Sequence, residues 1–299
     1  MSALRRGHEW DGRVLRDEPM SKHTSWRVGG PADMYFVPRD LEELSAFLSE
    51  LDPRTPITWV GLGSNMLVRD GGIRGAVVSV LNALGRLERI SETRVLVQAG
   101  VACARIARMC SRWSLGPAEF FSGIPGTMGG ALAMNAGAFG GETWRQVARV
   151  QVINRKGELT WRCPDEYVVG YRSVQGPVES EWFVAAELEF VPQAEAGEEK
   201  IRDLLTRRKQ TQPIGQPSCG SVFRNPEGDH AARLIEAAGL KGLRHGGAQV
   251  SDKHANFIIN TGGATAAEIE YLINHVRDTV EKRFGVRLLP EVRVVGEAA

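Results

Sequence analysis

Helical spacing appears first at Leu41, Leu44, Phe47, Leu48 and Leu51, behind Asp40 as a cap and Glu43 at the capping-box position. Upstream, residues to about Pro19 show no period and predict an irregular leader. The apolar run Ile57–Val60 predicts a strand, broken by Gly61-Leu62-Gly63-Ser64-Asn65. Residues 76–80 and 95–98 predict further strands. Residues 102–113 predict a helix with Cys103 and Cys110 on one buried face. Alternating apolar positions in Val147–Asn154 and Leu159–Arg162, joined across Arg155-Lys156-Gly157-Glu158, predict a hairpin. Residues 182–191 predict another strand. The texture then turns small and polar, and a basic helix opens at Ile201 and ends in Arg207-Arg208-Lys209. Thr265 with Glu268 caps a long helix reaching Phe284, with strands expected at 256–260 and 292–295.

These elements describe an α+β chain with many short strands in its first two-thirds. The division expected is a leader over 1–22, a domain over 23–194 and a C-terminal domain over 195–299. Hydrophobic residues at 42% suffice for a real core, and a net charge of +1 gives no global pull toward nucleic acid or a membrane surface. No apolar stretch is long enough to span a bilayer, and the polar start at 1–10 is not a secretory signal. Cys103, Cys110, Cys163 and Cys219 have no metal-binding or redox spacing, so no metal is expected and a reducing cytoplasmic setting fits.

Glycine is the compositional outlier, and it clusters. In Val60–Val68, Gly61 and Gly63 let backbone N–H groups approach an anion, with Ser64, Asn65 and Met66 beside them. The third glycine of a doubly wound dinucleotide fingerprint is missing, as is the lysine of a P-loop, and the segment suits a plain strand-to-strand turn as well. The stretch Ser122-Gly123-Ile124-Pro125-Gly126-Thr127, continuing through Gly129 and Gly130 to Asn135-Ala136-Gly137, lets backbone lie flush against a flat ligand. Thr127 heads a short helix there whose N-terminus suits an anion; close packing through small residues is the alternative. Arg172, after Tyr171, is a permanent cation able to grip a carboxylate bidentately. The loop Ser218–Pro226 offers Ser221 and Asn225 near Lys209, although a surface turn would look the same. In Leu289-Pro290-Glu291-Val292-Arg293-Val294, Glu291 is expected inside an apolar C-terminal strand, where a carboxylate needs a partner. Cys219 would flank Ser221 in an extended segment, but no base is in view to activate it.

Together with Thr24-Ser25-Trp26-Arg27-Val28-Gly29-Gly30, these segments in this order closely resemble the UDP-N-acetylenolpyruvoylglucosamine reductase family from about Thr24 to Gly296. The resemblance implies a two-subdomain FAD-binding module of the vanillyl-alcohol-oxidase type, followed by a substrate-binding α+β domain. It implies non-covalent FAD held by Gly61, Gly63, Ser64, Asn65, Met66, by Ser122, Gly123, Ile124, Pro125, Gly126, Thr127, Gly129, Gly130, and by Asn135, Ala136 and Gly137. No His or Cys lies in the first two of these segments to make a covalent flavin link. The implied catalytic residues are Arg172, Ser221 and Glu291; Tyr171, Lys209, Asn225 and His254 would contact the UDP-sugar. The chain would be a cytoplasmic monomer that reduces UDP-N-acetylglucosamine enolpyruvate to UDP-N-acetylmuramate with NADPH, feeding peptidoglycan and hence cell shape and division. The region after Tyr171-Arg172-Ser173 is too short for the inserted tyrosine loop of the longer class, so the shorter class is expected. Another FAD oxidoreductase of the same fold, acting on a sugar or alcohol, is the alternative, and a non-enzymatic flavin- or nucleotide-sugar-binding module a more distant one.

Overall fold

The computed structural model describes residues 14–193 and 197–299. Most of the leader, and the expected division at 194/195, therefore lie outside the described residues. One four-stranded sheet has the order Val14–Pro19, Pro31–Phe36, Ile73–Ser79, Ile57–Val60. Its first strand corrects the expectation of irregular chain up to Pro19. Val14–Pro19 is outermost in the sheet and mostly exposed, so it carries no apolar alternation to reveal it.

The chain folds into two compact units. One comprises Tyr35–Gly61 and Val77–Thr206 with the described residues before Arg16; the other comprises Arg16–Met34, Leu62–Ala76 and Arg207–Ala299.

In the first unit, helix α1 (Leu41–Glu50) starts where the Asp40 carboxylate accepts the Glu43 N–H at 2.9 Å. A five-stranded antiparallel sheet runs Leu159–Arg162, Val147–Asn154, Glu181–Glu189, Arg94–Gln98, Leu87–Arg89. The predicted hairpin forms its first pair, and the Asn154 side-chain oxygen closes the turn by accepting the N–H groups of Lys156 and Glu158. Helix α2 (Cys103–Arg112) sends Cys103, Ile106 and Cys110 into a core shared with Val95, Val97, Val150, Val152 and Leu188. Both cysteines are fully buried, as their spacing predicts. Helix α3 (Met128–Met134) adds Met128, Ala131 and Leu132 to the same core. A small hairpin, Val168–Gly170 with Ser173–Gln175, turns at Tyr171-Arg172. Helix α4 (Glu198–Thr211) begins in this unit, and its basic end from Arg207 on is counted with the second.

In the second unit, helix α5 (Ala231–Ala237) and helix α6 (Ala266–Phe284) share a core with the sheet Arg244–His245, Ala248–Val250, Ile258–Asn260. Ile269, Leu272, Ile273, Val276 and Val280 line one face of α6; burying each such side chain stabilises the fold by roughly 1.5–3 kcal/mol. Trp26 is fully buried here and donates from its indole to the Ile258 carbonyl at 2.7 Å. The capping box at Thr265 and Glu268 forms, and the Asp70 carboxylate takes the next N–H groups, from Ala266 and Ala267. Thr265→Ala is expected to cost about 1 kcal/mol in urea denaturation, because Asp70 still covers part of the helix end. A loss below the scatter of the measurement would show that Asp70 alone suffices. Among the described residues, no helix is long and apolar enough to cross a membrane.

Candidate active site

In the first unit Gly61 meets the second glycine segment. A Cβ on Gly61 would stand 2.4 Å from the Thr127 hydroxyl, so the turn after the Ile57–Val60 strand lies directly on the start of α3. Around it, Ser122 is buried and donates to the Glu119 carbonyl at 2.6 Å. Gly130 faces solvent, and a Cβ there would meet only the Thr127 hydroxyl, 3.9 Å away. The expected anion seat at the N-terminus of α3 needs correcting. The Met128 and Gly129 N–H groups are bonded to the carbonyls of Val101 and Ala99, and Thr127 makes no side-chain cap. Those donors are spent on holding α3 against the strand-to-helix corner before α2.

Arg172 belongs to the same unit, half-buried at the tip of the small hairpin. Its guanidinium donates to the carbonyls of Gly137 at 2.7 Å and Asn135 at 3.3 Å, and lies 5.3 Å from the exposed Tyr171 ring centre.

The second unit holds the remaining site residues. Gly63 has φ +59° and a Cβ there would sit 2.0 Å from the His23 carbonyl oxygen, so no other residue fits. The Asn65 side chain donates to the Glu291 carbonyl at 2.9 Å, and the Asn65 carbonyl accepts the Arg293 N–H at 3.0 Å. Met66–Val68 then pairs in parallel with Arg293–Val295. Ser221 and Glu291 are brought onto neighbouring backbones: the Glu291 N–H donates to the Val222 carbonyl at 2.7 Å, and Arg224 N–H to Leu289 at 2.9 Å. Asn256 fastens this pairing from behind. It is buried, accepts the Phe223 N–H at 2.9 Å, donates to the Phe223 carbonyl at 2.8 Å, and its own carbonyl receives the Val222 N–H. By residue type His254 stands out in that segment and Asn256 does not. Only a long-range backbone partner reveals its task.

Two expectations change here. Glu291 does not sit inside a strand; it precedes Arg293–Val295 and is half-buried, since its N–H is drawn off to Val222 before the ladder with Met66–Val68 begins. Cys219 does not share a side with Ser221 by strand alternation, because Gly220 between them has φ +83° and reverses the chain. Burial pushes the Cys219 thiol well above its ordinary pKa, and the Glu291 carboxylate adds to this, so Cys219 stays a neutral thiol. Cys219→Ala is expected to keep turnover near wild type while lowering stability by about 1 kcal/mol. A collapse in turnover would return Cys219 to the chemistry.

Of the other expected contacts, Lys209 is exposed at the end of α4, with the Lys253 ammonium donating to its carbonyl at 2.6 Å. The Asn225 oxygen accepts the Ala231 N–H at the start of α5, at 3.1 Å. His254 is half-buried, and burial lowers its pKa, which leaves the ring neutral near pH 7.

A family profile described as UDP-N-acetylenolpyruvoylglucosamine reductase, C-terminal domain, matches residues 212–295, and one described as FAD binding domain matches residues 32–162. UDP-N-acetylenolpyruvoylglucosamine reductase of Methylococcus capsulatus is 60% identical over 99% of this chain and 98% of its own length. The chain belongs to the UDP-N-acetylenolpyruvoylglucosamine reductase family. The enzyme of the same name from Alkalilimnicola ehrlichii is 59% identical over 96% of each chain. The crystal structure of that reductase from Thermus caldophilus superposes with a TM-score of 0.80 at 31% identity, covering 94% of this chain and 98% of the other. Membership makes the chain an FAD-dependent oxidoreductase with an α+β fold, an FAD-binding domain and the family's C-terminal domain. The residues fit the cofactor. The close approach at Gly61 and Thr127 and the exposed backbone at Gly130 are of the kind a planar ring lies against.

Proposed function

We infer that this chain reduces UDP-N-acetylglucosamine enolpyruvate to UDP-N-acetylmuramate, with NADPH as reductant, in peptidoglycan precursor synthesis. The observation that supports it is the backbone pairing of 222–224 with 289–291, which Glu291 takes part in and Ser221 adjoins, in a chain matching enolpyruvoyl reductases along its length. Gly61, Gly63, Ser64, Asn65 and Met66 would hold the FAD pyrophosphate, and Ser122, Gly123, Ile124, Pro125, Gly126, Thr127, Gly129 and Gly130 the flavin and its ribityl chain. When bound, FAD would supply hydride chemistry, carrying reducing equivalents from NADPH toward the enolpyruvyl group.

The chain's own groups do the rest. Hydride addition drives electrons toward the enolpyruvyl carboxylate, and Arg172 stabilises that growing charge with a cation that never loses its proton. Ser221 gives its hydroxyl proton to the neighbouring carbon; a hydroxyl is a weak acid, but an enolate carbon is a strong enough base to take it. Glu291, an ionisable group beside that serine, assists when protonated or held by an arginine, since a bare carboxylate would repel the substrate's own. Tyr171, Lys209 and Asn225 bind the UDP-sugar, and a neutral His254 contributes hydrogen bonds rather than charge. The protein works as a cytoplasmic monomer of the shorter class.

The test is anaerobic. NADPH bleaches the yellow protein, and UDP-N-acetylglucosamine enolpyruvate then restores the oxidised spectrum with UDP-N-acetylmuramate as product. A bleached protein that this substrate leaves bleached, but that oxygen or a sugar alcohol couple reoxidises, belongs to another flavin chemistry.

A further inference from the structure

On the function just proposed, Arg172 must meet a substrate carboxylate in one orientation, and the geometry points to Asn135, with Gly137 and Glu142, as positioning residues for that arginine rather than part of the flavin wall. Asn135 is 3% exposed and closes α3 in the left-handed conformation, at φ 44° and ψ 53°. Every functional side of its amide meets protein. The nitrogen donates to the Gly170 carbonyl at 3.1 Å and to the Glu142 carboxylate at 3.3 Å, while the oxygen accepts the Trp144 N–H at 3.1 Å. An amide nitrogen has two donors, and both are accounted for.

These bonds converge on the arginine. Gly170 is the residue before the Tyr171-Arg172 turn, so the Asn135 amide grips the hairpin at its tip. The Asn135 carbonyl and the Gly137 carbonyl receive the two ends of the guanidinium. A Cβ on Gly137 would stand 2.3 Å from the Gly141 carbonyl oxygen and 3.2 Å from an Arg172 terminal nitrogen, so the backbone approach already explains a glycine there without any ligand. Arg172 itself has φ +55°, a conformation that a long side chain adopts only when its surroundings impose it. The hairpin is a two-stranded sheet that joins no larger sheet among the described residues. Its tip is therefore aimed by side-chain ties, and Glu142 fixes which way the Asn135 amide points.

Asn135→Gly keeps the left-handed backbone and removes the amide. In the holoenzyme it is expected to retain wild-type flavin content and NADPH bleaching, while kcat for the enolpyruvyl substrate falls ~10-fold and its KM rises, the effect of a misplaced charge. Added to Arg172→Ala, the same change is expected to alter kcat by less than about twofold, because the group it positions is gone. Asn135→Asp sets a carboxylate against Glu142 and loses more; Asn135→Asp with Glu142→Gln recovers part of that loss. Wild-type kcat in Asn135→Gly, or an equal loss in the Arg172→Ala background, overturns the assignment. If the wild-type protein does not turn the substrate over, the proposed activity fails, and hydrogen exchange decides the positioning separately. Amides of 170–173 should exchange faster in Asn135→Gly, and unchanged exchange would overturn it.

Discussion

Ser221→Ala is expected to leave NADPH-dependent bleaching of the flavin at its wild-type rate and to lower turnover of the enolpyruvyl substrate by ~10²-fold or more. The first half-reaction needs no proton at the substrate carbon, and the second does. The substitution removes one hydroxyl and leaves the backbone that frames it. The Val222 N–H still donates to Asn256, and the Glu291 N–H still donates to Val222, so the loop keeps its place. Stopped-flow spectroscopy separates the two half-reactions in one experiment. Undiminished turnover would assign the proton to another donor and take Ser221 out of the mechanism.

Arg172→Lys is expected to cost ~10²–10³-fold in kcat/KM, again with flavin reduction by NADPH preserved. The charge survives, so the loss measures geometry. A guanidinium can rest on the Asn135 and Gly137 carbonyls and still face a carboxylate with a planar pair of donors. A lysine ammonium is a single point on a flexible stem and cannot do both. Turnover near wild type in the lysine variant would mean that a nearby positive charge is all the reaction asks for.

How far the chain could be read without coordinates depended on the range of the forces involved. Asp40 with Glu43, and Thr265 with Glu268, are visible because a cap bonds residues three apart, and both helices start where that spacing places them. The hairpin over 147–162 is visible because Asn154 and Gly157 carry turn chemistry between two alternating runs. Val14–Pro19 is not visible, since an exposed edge strand owes its form to a partner strand rather than to its own pattern. The site divides the same way. Residue types at Arg172, Ser221 and Glu291 suggest chemistry from the sequence alone. The break before Arg293, the reversal at Gly220, the occupied N–H groups of α3 and the role of Asn256 all rest on bonds between distant stretches.

The double link between residue 65 and the 291–293 segment has an engineering consequence. The loop bearing Asn65 and the chain bearing Glu291 behave as a single mechanical part. Grafting in a loop from another flavoprotein would strand an amide on one side and a carbonyl on the other. A successful transplant has to carry its C-terminal counterpart with it.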